Sequence, residues 1–116
     1  RILIDHHQQP QTEVFRFGVS DTGKSSTAEM VYDFIQQSGF ADKIDDNIRQ
    51  CLYAGIMTDT GSFRFPSTSA SVHQMAADFI SHGLQHSIIH EHLFDQFSEA
   101  RTCVTLGVFV EQGVFF

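Results

Sequence analysis

Residues 18–26 read "GVSDTGKSS", and two different proteins can be built on that stretch. Taken as G-x-x-x-x-G-K-[ST], it is a phosphate-cradling loop. Glycines open backbone N–H groups to phosphates, a lysine reaches the outer phosphates and a hydroxyl holds Mg²⁺. An apolar stretch precedes Gly18, a helical pattern follows Ser25, and "AGIMTD" (54–59) would serve as the Mg²⁺-supporting strand. On this reading Gly18–Ser25 forms a nucleotide-binding module that works through Lys24 and Ser25. A simpler reading competes with it. Ser26-Thr27-Ala28-Glu29 is a capping box, the local signature of a helix start. The cradle pattern fixes only four residues, and it leaves the strand that opens the chain, with the "DHH" behind it, without a role.

Outward from this stretch, the pattern alternates strand and helix. Ile2 to Ile4 is a short apolar run that predicts a buried strand ending at Asp5. "EVFRFGV" (13–19) alternates as a second strand. Beyond the capping box, Ala28, Val31, Tyr32, Phe34 and Ile35 space a helix that stops at Gly39. Asp45 or Asp46 starts another, with Ile48, Cys51, Leu52 and Tyr53 on its inner side, running toward Gly55. "MTDTGSFRFPSTS" (57–69) breaks the periodicity and predicts a loop. Val72, Ala76, Phe79 and Ile80 then space a third helix ending at Gly83. "HSIIHEHLFDQF" and "EARTCVTLGVFV" predict one or two helices more. The alternation favours an α/β fold with a parallel sheet and flanking helices.

Composition narrows the chemistry. The 116 residues are 41% hydrophobic and 18% charged, enough for one modest core. No apolar run reaches bilayer length, so the expectation is a soluble, cytoplasmic protein without membrane contact. "RILIDHH" carries no signal-peptide features. Together with "GVFVEQGVFF" at the other end, it gives both ends the look of cuts from a longer chain. Cys51 and Cys103 lack C-x-x-C spacing and are expected to be free and buried. Fourteen acids against seven bases give a formal charge of −7. The bases are scattered, which argues against a track for long nucleic acid. A small anionic substrate, held by a few groups with metal ions, fits the balance better.

Two segments carry the residue types for that chemistry. Asp5-His6-His7 follows a buried strand, and the carboxyl ends of strands are where ligands collect in open α/β sheets. Imidazole beside carboxylate suits Mn²⁺, Fe or Zn. "GIMTDTGSFRF" (55–65) sets Asp59 between two threonines, with a phosphate-facing cation at Arg64. Taken singly, the first segment is equally a polar turn. Asp59 alone is equally a helix cap, and Arg64 a solvated residue.

Taken together, "LIDHH", "SSTAEMVY", "GIMTDTGSFRF" and "STSASVH" resemble the DHH family of phosphoesterases in order and spacing. The likeness covers nearly the whole chain. It is greatest to the branch holding the nanoRNase (oligoribonuclease) and pAp phosphatase enzymes, and on it the phosphate-loop match is accidental. The resemblance implies the second half of a parallel-sheet catalytic lobe over residues 1–84. Residues 85–116 would be linker helices leading toward a C-terminal substrate-binding lobe. It implies hydrolysis of short oligoribonucleotides or pAp with two Mn²⁺ ions, or Mg²⁺ or Co²⁺ in their place, and it leaves a homodimer open. His6 and Asp59 would ligate one metal, Asp5 would orient His6, and His7 would face the scissile phosphate. Arg64 and His73 would contact substrate. Ser25 and Ser26 would offer hydroxyl or N–H groups to an anion at a helix N-terminus.

The family's upstream His-x-Asp-x-Asp motif, its further Asp and its C-terminal glycine-rich, His-containing motif do not occur in these residues. The 116 residues alone are therefore expected to bind Mn²⁺ weakly and to be inactive. A non-catalytic remnant of the fold is the remaining alternative. His86, His90 and His92 read as a solvated or inter-lobe helix face, and the twelve phenylalanines as packing.

Overall fold

The computed structural model describes residues 2–8, 15 and 17–95. The chain divides into two compact units, Arg1–Leu84 and Gln85–Phe116. In the first, strand β1 (Ile2–Asp5) lies parallel to β2 (Phe17–Ser20), in the register Ile2 with Phe17 through Asp5 with Ser20. Helices α1 (Thr27–Gln37), α2 (Asp46–Asp59) and α3 (Ala70–Ser81) follow, with a 3-10 turn at Ala41–Lys43 between the first two. Helix α1 is the hub, packing on both β1 and α2, and α2 packs in turn on α3. This is the α/β layering expected. The second unit begins with α4 (His86–His90) and a π-helical turn, Glu91–Asp95. The segment "EARTCVTLGVFV" and Cys103 lie outside the described residues.

Local chemistry explains the helix boundaries. Ser26 caps α1 by accepting from the Ala28 N–H, Asp45 caps α2 through the Ile48 N–H and Ser69 caps α3 through the Val72 N–H. Each cap occupies one of the free donors of a first turn. At the far ends Gly39 and Gly83 adopt φ of 76° and 93°, and the chain closes with bonds from Phe40 N to Ile35 O and from Leu84 N to Phe79 O. That closing geometry is the reason glycine ends both helices.

The core is a stripe on α2 (Leu52, Tyr53, Ile56, Met57) against Val72, Met75, Ala76 and Phe79 of α3 and Met30 of α1. The Tyr32 ring meets Phe79 edge-on at 5.3 Å, and its hydroxyl donates to Asp78 Oδ2 at 3.1 Å, tying α1 to α3. Ile48 and Cys51, expected on the inner side of α2, sit at the solvent edge of this stripe, so Cys51 is exposed rather than buried. Phe34 is likewise exposed on α1.

Two departures from the sequence reading bear on the site. Helix α2 does not end near Gly55 but runs through it to Asp59, so Met57, Thr58 and Asp59 are helical rather than loop. A Cβ at position 55 would lie 2.8 Å from the Ala28 Cβ. The glycine is there for the close approach of α1, not as a stop. The second strand is shorter than predicted, beginning at Phe17, with residues 13, 14 and 16 outside the described set. Gly18 stands opposite Leu3, where a Cβ would meet the Leu3 carbonyl oxygen at 2.8 Å.

Among the described residues Glu29 is the one buried carboxylate, 2% exposed. It accepts from the Ser25 N–H at 3.0 Å, from Ser69 Oγ at 3.3 Å, from Ser71 Oγ and from Lys24 Nζ at 3.4 Å. Burial pushes its carboxyl up, but these donors and the Lys24 charge outweigh burial and bring it below the ordinary 4.5. The network joins the start of α1 to the start of α3.

Two outcomes follow from this packing. Gly55→Ala should destabilise the whole protein by about 1–3 kcal/mol through overpacking, although helix propensity alone would favour alanine by roughly 1 kcal/mol. Stabilisation on urea unfolding would contradict the close α1–α2 approach. Glu29 carries a carboxyl lowered by folding, so its contribution is complete above pH 4.5 and fades as pH falls through the folded value. Glu29→Gln should lose about 1–3 kcal/mol at neutral pH, with the gap to the parent protein closing in acid. A gap that stays constant down the pH series would show that the charge is not what stabilises.

Candidate metal site

Strand β1 delivers Asp5, His6 and His7 to its carboxyl end. The Asp5 carboxylate accepts twice from His7: from the backbone N–H at 3.1 Å and from ring Nδ1 at 2.8 Å, both through Oδ1. This is the local turn that an aspartate makes with the residue two positions on. Partial burial pushes the Asp5 carboxyl up, but the hydrogen bonds and charge of His7, helped by His6, outweigh it and hold it below the ordinary value. Asp5 was expected to orient His6. Its hydrogen bonds instead go to His7, because residues at i and i+2 fall on one side of the turn.

His6 points elsewhere. Its Nε2 lies 3.8 Å from Asp59 Oδ2, both side chains being less than a fifth exposed. The His6 and His7 rings stay close, 4.2 Å between centroids and tilted by 52°. The separation of 3.8 Å is long for a direct hydrogen bond. It suits two ligands of one ion, since donors each about 2.0–2.2 Å from a metal lie within roughly 4.4 Å of each other.

Asp59 occupies the last turn of α2, where the helix dipole opposes a carboxylate. One hydrogen bond opposes that cost: the fully buried Ser26 hydroxyl donates to Asp59 Oδ2 at 2.6 Å, the same oxygen that faces His6 Nε2. The helix end is fixed by Thr60, whose Oγ1 donates to Ile56 O and accepts from the Phe63 N–H. Gly61, Ser62 and Phe63 then take φ of 57°, 59° and 64° in succession. For a phenylalanine this left-handed conformation is costly, and the ring is held by Tyr53 on one side and His73 on another, at 5.8 and 5.5 Å.

Of the expected substrate contacts, Arg64 and His73 are exposed, and Arg64 Nε donates to the Gly61 carbonyl at 2.8 Å. Among the described residues no hydrogen bond or ion pair links either to His6 or Asp59. Ser25 and Ser26 do not form the expected open anion site. Ser25 Oγ donates to Ser67 O at 2.6 Å and accepts from the Ser69 N–H, its own N–H is taken by Glu29, and both serines are buried. Their hydroxyls are used within the fold.

The same facts remove the phosphate cradle. Gly18, Val19 and Ser20, which would have to be loop, are strand. The turn that follows is closed by Asp21, which accepts from the Gly23 N–H at 2.9 Å. Lys24 Nζ sits 2.6 Å from Asp33 Oδ2 and 3.4 Å from Glu29. The Asp33 bond leads in raising its pKa, and the charges of both acids outweigh desolvation. The Lys24 ammonium and the Ser25 N–H, which the cradle would turn to a phosphate, are therefore held by carboxylates of the fold. Glu29 was legible in the sequence only as part of a cap, and its wider role rests on partners some forty residues away.

Two donors converge here, and among the described residues no group of three or more His, Cys, Asp or Glu is placed to hold a metal ion. His6 and Asp59 thus fit part of a metal site, not a whole one. In the second unit, His86 and His90 meet edge-on at 6.3 Å and line an open depression with Ser87 and Glu91. No helix among the described residues is long and apolar enough to cross a membrane.

No protein-family model matches the chain. The bifunctional oligoribonuclease and PAP phosphatase NrnA of Bacillus subtilis is 31% identical over 115 residues, covering 96% of this chain and 34% of that protein. The protein of the same name from Thermus thermophilus is 38% identical over 87 residues, 72% of this chain and 25% of its own length. A solved structure of an exopolyphosphatase-related protein from Bacteroides fragilis matches with a TM-score of 0.79 and 30% identity, over 96% of this chain and 32% of that one. This chain therefore spans about a third or less of the relatives it matches. The order of its landmarks, the α/β fold and these relatives agree: the chain belongs to the DHH family of phosphoesterases.

Proposed function

We propose that the whole protein is a Mn²⁺-dependent phosphoesterase acting on small nucleotides, either short oligoribonucleotides or pAp. The observation that carries this reading is the convergence of His6 Nε2 and Asp59 Oδ2, 3.8 Å apart, at the carboxyl end of β1. When bound, a pair of Mn²⁺ ions would supply a hydroxide for in-line attack and offset charge on the phosphoryl oxygens. His6 and Asp59 are the ligands this chain gives to one ion. Asp5 occupies the Nδ1 of His7, which leaves Nε2 as the nitrogen that meets the scissile phosphate. The net charge of −7 favours small substrates over long strands, because few cations are present to gather phosphates. On this reading the first unit is the second half of a catalytic lobe, and the second unit leads to a lobe that selects the nucleotide. The setting is the cytoplasm. The names of the NrnA relatives support the substrate class.

The test is turnover by the whole protein with Mn²⁺ on pAp, ribodinucleotides and long single-stranded RNA. His6→Ala should lower kcat/KM by more than roughly a hundredfold, the upper end of what partners behind a ligand are worth. Lys24→Ala, whose partners are Asp33 and Glu29, should leave most of the activity. Loss with Lys24→Ala and retention with His6→Ala would overturn the assignment. Faster cleavage of the long strand than of the dinucleotides would overturn the substrate class.

A further inference from the structure

The Ser26 hydroxyl has its role set by its two partners. It is fully buried, and it accepts from the Ala28 N–H at 3.1 Å as the cap of α1. A hydroxyl has one proton to give, and this one is directed at Asp59 Oδ2, 2.6 Å away. That same oxygen faces His6 Nε2. One side chain therefore starts α1 and also fixes the carboxylate at the end of α2.

Packing sets the reach of this contact. Gly55 lies one helical turn before Asp59, and the residue it admits at close range is Ala28, two positions after Ser26. The glycine lets the N-terminus of α1 come against the C-terminal turn of α2. The capping serine and the aspartate then meet although they are 33 residues apart in sequence.

We propose that Ser26 is a positioning residue: it holds the Asp59 carboxylate in the rotamer that presents it toward His6, so that the pair is preorganised for a metal ion. This rests on the assignment of Asp59 as a ligand made above. It replaces the expectation that Ser26 binds substrate, since a buried hydroxyl engaged at both ends has nothing left to offer an anion.

The experiment separates capping from positioning. Glycine is nearly as good a cap as serine, whereas alanine is poor, and neither has a proton to donate. Mn²⁺ binding to the whole protein is followed by the electron paramagnetic resonance signal of the free ion, with unfolding midpoints measured in parallel. Ser26→Gly should weaken Mn²⁺ binding about 10- to 100-fold, the range for groups behind a metal ligand, with little change in unfolding midpoint. Ser26→Ala should weaken it similarly and also lower the midpoint. Ser26→Thr, which keeps the hydroxyl, should bind close to the parent. Parent-like Mn²⁺ affinity in Ser26→Gly, with His6→Ala and Asp59→Ala both weakened, would overturn the positioning role alone. Parent-like affinity in His6→Ala and Asp59→Ala would overturn the ligand assignment, and the positioning role with it.

Discussion

The contact between Ser26 and Asp59 is where the architecture and the chemistry of this chain meet. A helix start and a helix end are each incomplete: one has N–H donors without acceptors, the other carbonyls that repel a carboxylate. Placing the start of α1 against the end of α2 lets one hydroxyl serve both. The arrangement needs the two helices closer than ordinary side chains allow, and Gly55 provides that. It needs α1 fixed along its length, and the Glu29 network and the Tyr32 contacts with α3 provide that. β1, packed on α1, then brings His6 to the open side of the same carboxylate.

The phosphate-loop pattern is instructive because each of its residues has a use, and none is the one the pattern names. Gly18 permits a close strand pair, Lys24 neutralises Asp33 and Glu29, and Ser25 ties the α1 start to the chain ahead of α3. A short pattern specifies residue types. It does not specify which partner each type selects once the chain is folded, and here the lysine's partners are carboxylates.

The third helix was legible in its stripe of Val72, Ala76 and Phe79 and in its terminal Gly83, because each signal is local, although Ile80 is exposed and the cap, Ser69, had been read as the end of a loop. So were the strand–histidine junction and the helix start at Ser26, although Glu29 accepts from the Ser25 N–H where a capping box would use that of Ser26. Asp59 was legible as a chemical group but misplaced in a loop. The cost of glycine in a helix is local, whereas its benefit at position 55 comes from Ala28 on another helix. The roles of Ser25 and Ser26 were misread for the same reason, their partners lying 42 and 33 residues away. The pairing of Asp5 with His7 spans two residues, and the resemblance-based expectation of a bond to His6 obscured a turn that the sequence itself offered.

Ile2 and Phe17 are about two-thirds exposed and Val19 about half, on a parallel pair of the kind that proteins cover on both faces. The candidate metal site likewise has two donors, His6 and Asp59, and no group of three among the described residues. Both observations agree with a chain that spans about a third of its relatives' length. The central claim is that His6 and Asp59 hold one ion between them. Anomalous diffraction at the manganese edge, from crystals of the whole protein grown with Mn²⁺, tests it most directly. The account predicts an anomalous peak in contact with both His6 and Asp59, with Ser26 still donating to the carboxylate. Manganese bound with neither residue in its coordination would contradict it.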